Sequence, residues 1–218
     1  GNISFISQSG ALCTAVLDFA ADKDFGFSKF VSIGNKADVD ELDLLRYFHA
    51  DPETEVIMLY IEELQRGPEF IEAVKEITGG DRPTPVLAIK SGRTSAGAQA
   101  AASHTGSLAG SESVYDAIFT QSGIIRVESI NELFDFGTAF AYKNENALGK
   151  MRRKVPLGNR VAIVTNAGGP GIVATDMTVS SGLELATFSE ETVEALKSHL
   201  PETANFNNPV DVIGDAAQ

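Results

Sequence analysis

Short apolar runs alternate with stretches of helical period along most of the chain, and few folds accept that pattern. Residues 56–61, Val-Ile-Met-Leu-Tyr-Ile, are apolar at every position, as expected of a central parallel strand covered on both faces. Residues 3–7, 30–33, 86–89 and 124–127 read as further strands. Helical periodicity falls between them, over 11–21, 41–48, 70–77, 113–121 and 130–141.

Five strands with crossover helices make one complete flavodoxin-like unit over residues 1–142. Residues 143–158 then turn polar and basic (Lys143, Lys150, Arg152, Arg153, Lys154) around Pro156 and read as a linker. A second unit, residues 159–218, opens with a strand at 161–165 and a glycine turn. A helix over 170–180, a short strand at 183–186 and a helix over 190–199 follow. The expected class is α/β, with two flavodoxin-like parallel-sheet domains, the second partial. The chain opens on Gly1 and stops soon after Asn208-Pro209-Val210-Asp211, which reads as an internal fragment of a longer protein.

A net charge of -13 argues against nucleic acid or an anionic membrane as partner. No apolar run approaches the roughly 20 residues that span a bilayer. The single Cys13 cannot form an internal disulfide and fits a reducing, cytoplasmic setting. It sits on an apolar helix face and reads as core. His49 and His199 lie near helix ends, where a cation suits the dipole.

His104 is different. It stands in Ala102-Ser103-His104-Thr105-Gly106-Ser107-Leu108-Ala109-Gly110-Ser111, among small residues and hydroxyls that let a bulky anion approach the ring. No second metal ligand accompanies it. An imidazole so placed is a candidate nucleophile, able to take a phosphoryl group near neutral pH and release it. A carboxylate on the opposite nitrogen would fix its tautomer, and Glu62 or Glu63, at the end of the central strand, could supply it.

Two turns look built for phosphate. Ser7-Gln8-Ser9-Gly10 and Thr165-Asn166-Ala167-Gly168 occupy the same place, between a first strand and a first helix, and match position by position. Helix starts offer unpaired N–H groups and a positive dipole end. Ser7, Gln8 and Ser9 add side-chain donors in the first turn, while Gly168, Gly169 and Gly171 clear space in the second, beside Pro170. Both turns also read as ordinary strand-to-helix connections, with Ser9 a simple N-cap. Neither carries the Walker sequence or the dinucleotide fingerprint.

Taken with Ser32-Ile33-Gly34-Asn35-Lys36, Tyr60-Ile61-Glu62 and Lys90-Ser91-Gly92-Arg93, these motifs resemble the nucleoside-diphosphate-forming acyl-CoA synthetases. That family includes ADP-forming acetyl-CoA synthetase and relatives of succinyl-CoA synthetase. Thr165 to Gly171 and Asn208 to Asp211 resemble its next domain. The resemblance implies interconversion of acyl-CoA, ADP and phosphate with acid, CoA and ATP. It assigns the phosphohistidine to His104 and its support to Glu62, with phosphate cradled at Ser9-Gly10 and at Gly168, Gly169 and Gly171. It further implies a CoA-binding Rossmann domain and an ATP-grasp domain or subunit holding Mg-ATP or ADP, both outside this fragment. The fragment alone is then inactive, and an oligomer is expected. Two rival readings stand beside it: a regulatory acyl-CoA-binding module of a protein acetyltransferase, and a phosphate-binding flavodoxin-like protein without covalent chemistry.

Overall fold

The computed structural model describes residues 1–23, 25–34, 36–94, 97, 111–142, 144–145, 151–152 and 158–214. The chain divides into two units, Gly1–Arg153 and Lys154–Gln218.

The first unit alternates strand and helix in chain order. Its elements are β1 (Ile3–Ser7), α1 (Gly10–Asp22), β2 (Phe27–Ser32), α2 (Glu41–Ala50), β3 (Val56–Ile61), α3 (Gly67–Gly79), β4 (Val86–Lys90), α4 (Glu112–Ser122), β5 (Ile125–Arg126) and α5 (Ile130–Ala141). The five strands form one sheet in the order β2-β1-β3-β4-β5, all parallel. This is the flavodoxin-like arrangement, in which strand order reverses between β1 and β3. Two short strands, β6 (Asn144–Glu145) and β7 (Met151–Arg152), pair antiparallel beyond it, within the stretch expected as a linker.

The side-chain alternation of β3 explains why it is apolar throughout. Ile57, Leu59 and Ile61 join a core with Leu45 and Phe48 of α2, Phe70 and Val74 of α3, and Phe119 of α4. Val56 and Met58 face the other way, against Val16 of α1 and Leu133 and Phe134 of α5. Each such fully buried side chain contributes roughly 1.5–3 kcal/mol.

Strand β2 begins at Phe27, earlier than its sequence suggests, because Phe27 packs edge-on against Phe25 and Phe30 and tilted on Phe5. The contact with Phe5 is tertiary, so a local pattern does not announce it. Helix α2 starts at a capping box: Asp40 accepts from the amides of Leu42 and Asp43, and Asp43 accepts from the Asp40 amide. Burial works against the Asp40 charge. The Arg66 guanidinium and the Asp43 and Leu42 amides outweigh it and hold the carboxyl below its ordinary 3.8. Asp40→Ala is therefore expected to cost about 1–2 kcal/mol at neutral pH. A depressed carboxylate stabilises above its unfolded pKa and loses that contribution as pH falls through the folded value. The difference between variant and wild type should thus shrink below pH 3.8, as read by denaturant unfolding at several pH values.

Helix α5 crosses the sheet closely at Gly137, where an added Cβ would lie 2.8 Å from the Met58 sulfur and 3.6 Å from Ile3 Cδ1. Overpacking of this kind costs about 1–3 kcal/mol. Alanine returns about 1 kcal/mol of helix propensity. Gly137→Ala should consequently lower stability by up to about 2 kcal/mol in denaturant titration, and a stabilised variant would contradict the close crossing.

The second unit comprises β8 (Arg160–Val161), β9 (Val164–Thr165), α6 (Gly168–Ser180), β10 (Glu184–Leu185), α7 (Glu190–His199) and β11 (Val210–Asp211). Strand β10 pairs parallel with β8, and β11 pairs parallel with β9. Asn208 ties these short strands together: its carboxamide accepts from the Ile163 amide and donates to the carbonyls of Val161 and Ala186. Ile172, Val173 and Met177 of α6 are exposed, so this helix leaves much of its apolar surface uncovered. Among the described residues no helix is long and apolar enough to cross a membrane.

Candidate functional site

The carboxyl edge of the first sheet brings together Ser9 and Gly10 after β1 and Glu62 after β3. Ser7 ends β1, and its hydroxyl folds the turn by donating to the Ser9 carbonyl at 2.9 Å and accepting from the Ser9 amide at 3.0 Å. Ser9 caps α1, its side chain accepting from the Leu12 amide at 3.3 Å. The amides of Gly10 and Ala11 remain exposed at the positive end of the helix, with no acceptor among the described residues. Among the described residues, a Cβ on Gly10 would meet only Ser32 Oγ, at 3.8 Å. The two amides form a small anion-accepting surface.

Gln8 does not belong to that surface. It is buried, and its carboxamide is spent within the protein. Oε1 accepts from the amides of Glu62 at 2.7 Å and Glu63 at 3.0 Å. Nε2 donates to the Glu63 carbonyl at 2.9 Å and to Glu41 Oε2 at 3.2 Å. The sequence reading of Ser7 and Gln8 as donors to a ligand is therefore corrected: both are consumed in shaping the turn and its neighbour.

Glu62 lies just past β3, half-buried, with no hydrogen-bond partner for its carboxylate among the described residues. Glu63, by contrast, faces Lys36, whose Nζ stands 3.9 Å from its carboxylate and 3.0 Å from its carbonyl. Lys36 also pairs with Glu41 at 3.4 Å, and both side chains are about 95% buried (4% and 5% exposed). Lys36 adopts a left-handed backbone conformation, φ 55°. Of the two acids, Glu62 is the one left available.

A second group of charges sits where β4 and β5 end. Lys90, 3% exposed, donates to the Ser91 carbonyl, and its Nζ lies 4.4 Å from the centre of the Tyr115 ring. Desolvation lowers its pKa below the usual lysine range, and Arg126 adds to that, while Glu112 and Glu62 pull the other way. Arg93 and Arg126 both pair with Glu112, Arg93 at 3.0 Å. Lys36, Glu41 and Lys90 were not among the residues picked from the sequence as site residues. A lysine closing an apolar strand was the available signal for Lys90. Nothing local marks Glu41 as a buried acid.

His104 lies outside the described residues. The glycine turn of the second unit is described, and its geometry repeats that of the first. Thr165 Oγ1 donates to the Ala167 carbonyl at 2.8 Å and accepts from the Ala167 amide at 3.2 Å, the same pair of bonds that Ser7 makes with Ser9. Gly168 and Gly169 are exposed at the start of α6. Gly171 is a packing glycine, since its Cβ would approach Thr165 Cγ2 at 3.0 Å and Pro209 Cβ at 3.6 Å. Asp211 Oδ2 lies 3.4 Å from where a Gly168 Cβ would be, so this helix start already faces a carboxylate. A cavity of about 360 Å³ opens beside it, lined by Thr165, Gly171, Ile172, Thr175, Pro209 and Asp211 among others. Among the described residues no cluster of His, Cys, Asp or Glu could hold a metal ion.

A parallel sheet in this order, with helix-start amides and a carboxylate at its carboxyl edge that have no hydrogen-bond partner among the described residues, defines a flavodoxin-like α/β domain. The pattern of the succinyl-CoA ligase like flavodoxin domain matches residues 1–140, and the chain belongs to that family. It is 45% identical over 216 residues to the alpha subunit of acetate–CoA ligase (ADP-forming) II of Pyrococcus furiosus, covering 99% of this chain and 44% of that one. It is 46% identical to acetate–CoA ligase (ADP-forming) I of Archaeoglobus fulgidus, covering 100% of this chain and 30% of that protein. The dinucleotide-forming acetyl-coenzyme A synthetase 1 of Ca. Korarchaeum cryptofilum, solved with phosphate and ADP, superposes with a TM-score of 0.84 at 41% identity, over 98% of this chain and 44% of that one. The chain thus spans less than half the length of these relatives.

Proposed function

We propose that this chain is the phosphoryl-relay portion of an ADP-forming acyl-CoA synthetase. The observation that carries the reading is the pairing of the Gly10 and Ala11 amides with the Glu62 carboxylate on the neighbouring strand end, none of which has a hydrogen-bond partner among the described residues. The relatives at 45% and 46% identity, ADP-forming acetate–CoA ligases, supply the reaction class. In this reading His104 is the nucleophile. Inorganic phosphate displaces CoA from the acyl-CoA to give an acyl phosphate; a ring nitrogen then attacks its phosphorus, the bond to the carboxylate oxygen breaks, and the acid leaves. ADP then takes the phosphoryl group and the imidazole is restored. Glu62 holds the opposite ring nitrogen and stabilises its charge. The α1 amides neutralise the phosphoryl oxygens. Gly171 supports its helix start through packing. CoA and Mg-nucleotide are assigned to a CoA-binding Rossmann domain and an ATP-grasp domain or subunit of a cytoplasmic, oligomeric assembly.

The test separates this reading from a regulatory acyl-CoA-binding module. The complete protein is mixed with acetyl-CoA and labelled inorganic phosphate, without nucleotide. Covalent label on the protein, discharged to ATP by ADP, is the expected result. Binding of acetyl-CoA without any covalent label would favour the regulatory module.

A further inference from the structure

The carboxamide of Gln8 makes four hydrogen bonds, and every one of them has a fixed direction. The Glu62 and Glu63 amides can only donate, so they select Oε1. The Glu63 carbonyl and the Glu41 carboxylate can only accept, so they select Nε2. Glu41 is in turn held by Lys36, buried beside it. The strand order reverses between β1 and β3, and ligands of open α/β sheets enter at that point. Here Gln8 bolts the end of β1 to the residues that follow β3.

We infer that Gln8, oriented by the Lys36–Glu41 ion pair, is the positioning residue that fixes the Glu62 backbone and so aims its carboxylate. The inference rests on the role proposed for Glu62. Gln8 touches no reacting atom. It acts by denying the Glu62–Glu63 peptide any other orientation, and Glu41 denies the Gln8 amide a flip that would set N–H against N–H.

Gln8→Glu tests this with no change of volume. It places an oxygen where Nε2 stood, against the Glu41 carboxylate and the Glu63 carbonyl, and so releases the loop. In the complete protein, the rate constant for phosphate transfer to His104 from acetyl-CoA and phosphate should fall about 10- to 100-fold, the scale of a misplacement near 1 Å. The Michaelis constants for acetyl-CoA and ADP should stay within about twofold, because transfer alone is affected. The deciding comparison is made in a Glu62→Gln background. If Gln8 works through Glu62, adding Gln8→Glu there slows transfer by less than about twofold. Multiplication of the two losses would overturn the inference and leave Gln8 a general structural residue. Glu41→Gln, which removes the orienting charge, is carried through the same two backgrounds and decides the matter if Gln8→Glu does not fold. A Glu62→Gln protein that transfers at the wild-type rate also overturns the inference, while His104-dependent label would keep the relay itself intact. Absence of any His104-dependent label in wild type would remove the relay, and the inference with it.

Discussion

Substituting His104 by alanine in the complete protein should lower ATP formation from acetyl-CoA, ADP and phosphate by about 10⁴-fold or more, the scale on which removal of a covalent nucleophile acts. A histidine that merely bound phosphate would leave a residual rate within about tenfold to a hundredfold, because charge contacts are individually worth a few kcal/mol. The size of the loss therefore distinguishes nucleophile from ligand. His199→Ala is the internal control. His199 is exposed at the end of α7, with Nδ1 2.8 Å from the Ala195 carbonyl, and its loss should leave turnover unchanged. Initial rates under saturating substrates check both variants. A His104→Ala protein within tenfold of wild type would end the relay account.

The second large effect is structural and concerns Asn208. Its carboxamide serves three backbone groups at once, the Ile163 amide at 2.9 Å and the carbonyls of Val161 at 2.8 Å and Ala186 at 2.9 Å. Strands β8, β9 and β10 are two residues each and cannot complete their own ladders. Asn208→Leu keeps the volume and strips all three partners. Each orphaned group costs about 1–3 kcal/mol, so the second unit should lose about 3 kcal/mol or more. At 1.4 kcal/mol per decade, exchange of the Ile163 amide should accelerate by about a hundredfold. Protection unchanged at that amide would show that the strands hold without the bridge.

Some of this was legible in the amino-acid order and some was not, for physical reasons. Helices α5 and α7 fall where their periodicity places them, over Ile130–Ala141 and Glu190–His199, since both begin at a serine cap and carry clear patterning. The five-stranded parallel sheet follows from the alternation of elements and from β3, whose two faces both meet helices. The start of β2 depends on Phe5 and Phe27 meeting across the sheet. Local sequence cannot show that contact. Gln8 illustrates the deeper limit. Beside a glycine turn, an amide reads as a ligand donor, yet its partners Glu41 and Glu62 lie 33 and 54 residues away and claim every bond it can make. Gly171 resembles its neighbours Gly168 and Gly169 in sequence, but only the fold reveals that a side chain there would press on Thr165.

A phosphoryl group carried covalently on His104 is the central proposal. Complete wild-type and His104→Ala proteins are incubated with Mg²⁺ and ATP labelled on the γ-phosphate, quenched, and tested for acid and alkali stability of the protein-bound label. The account predicts an acid-labile, alkali-stable label in wild type, absent from His104→Ala and discharged by ADP. A folded, complete protein that acquires no label, or one that keeps it after loss of His104, would contradict it.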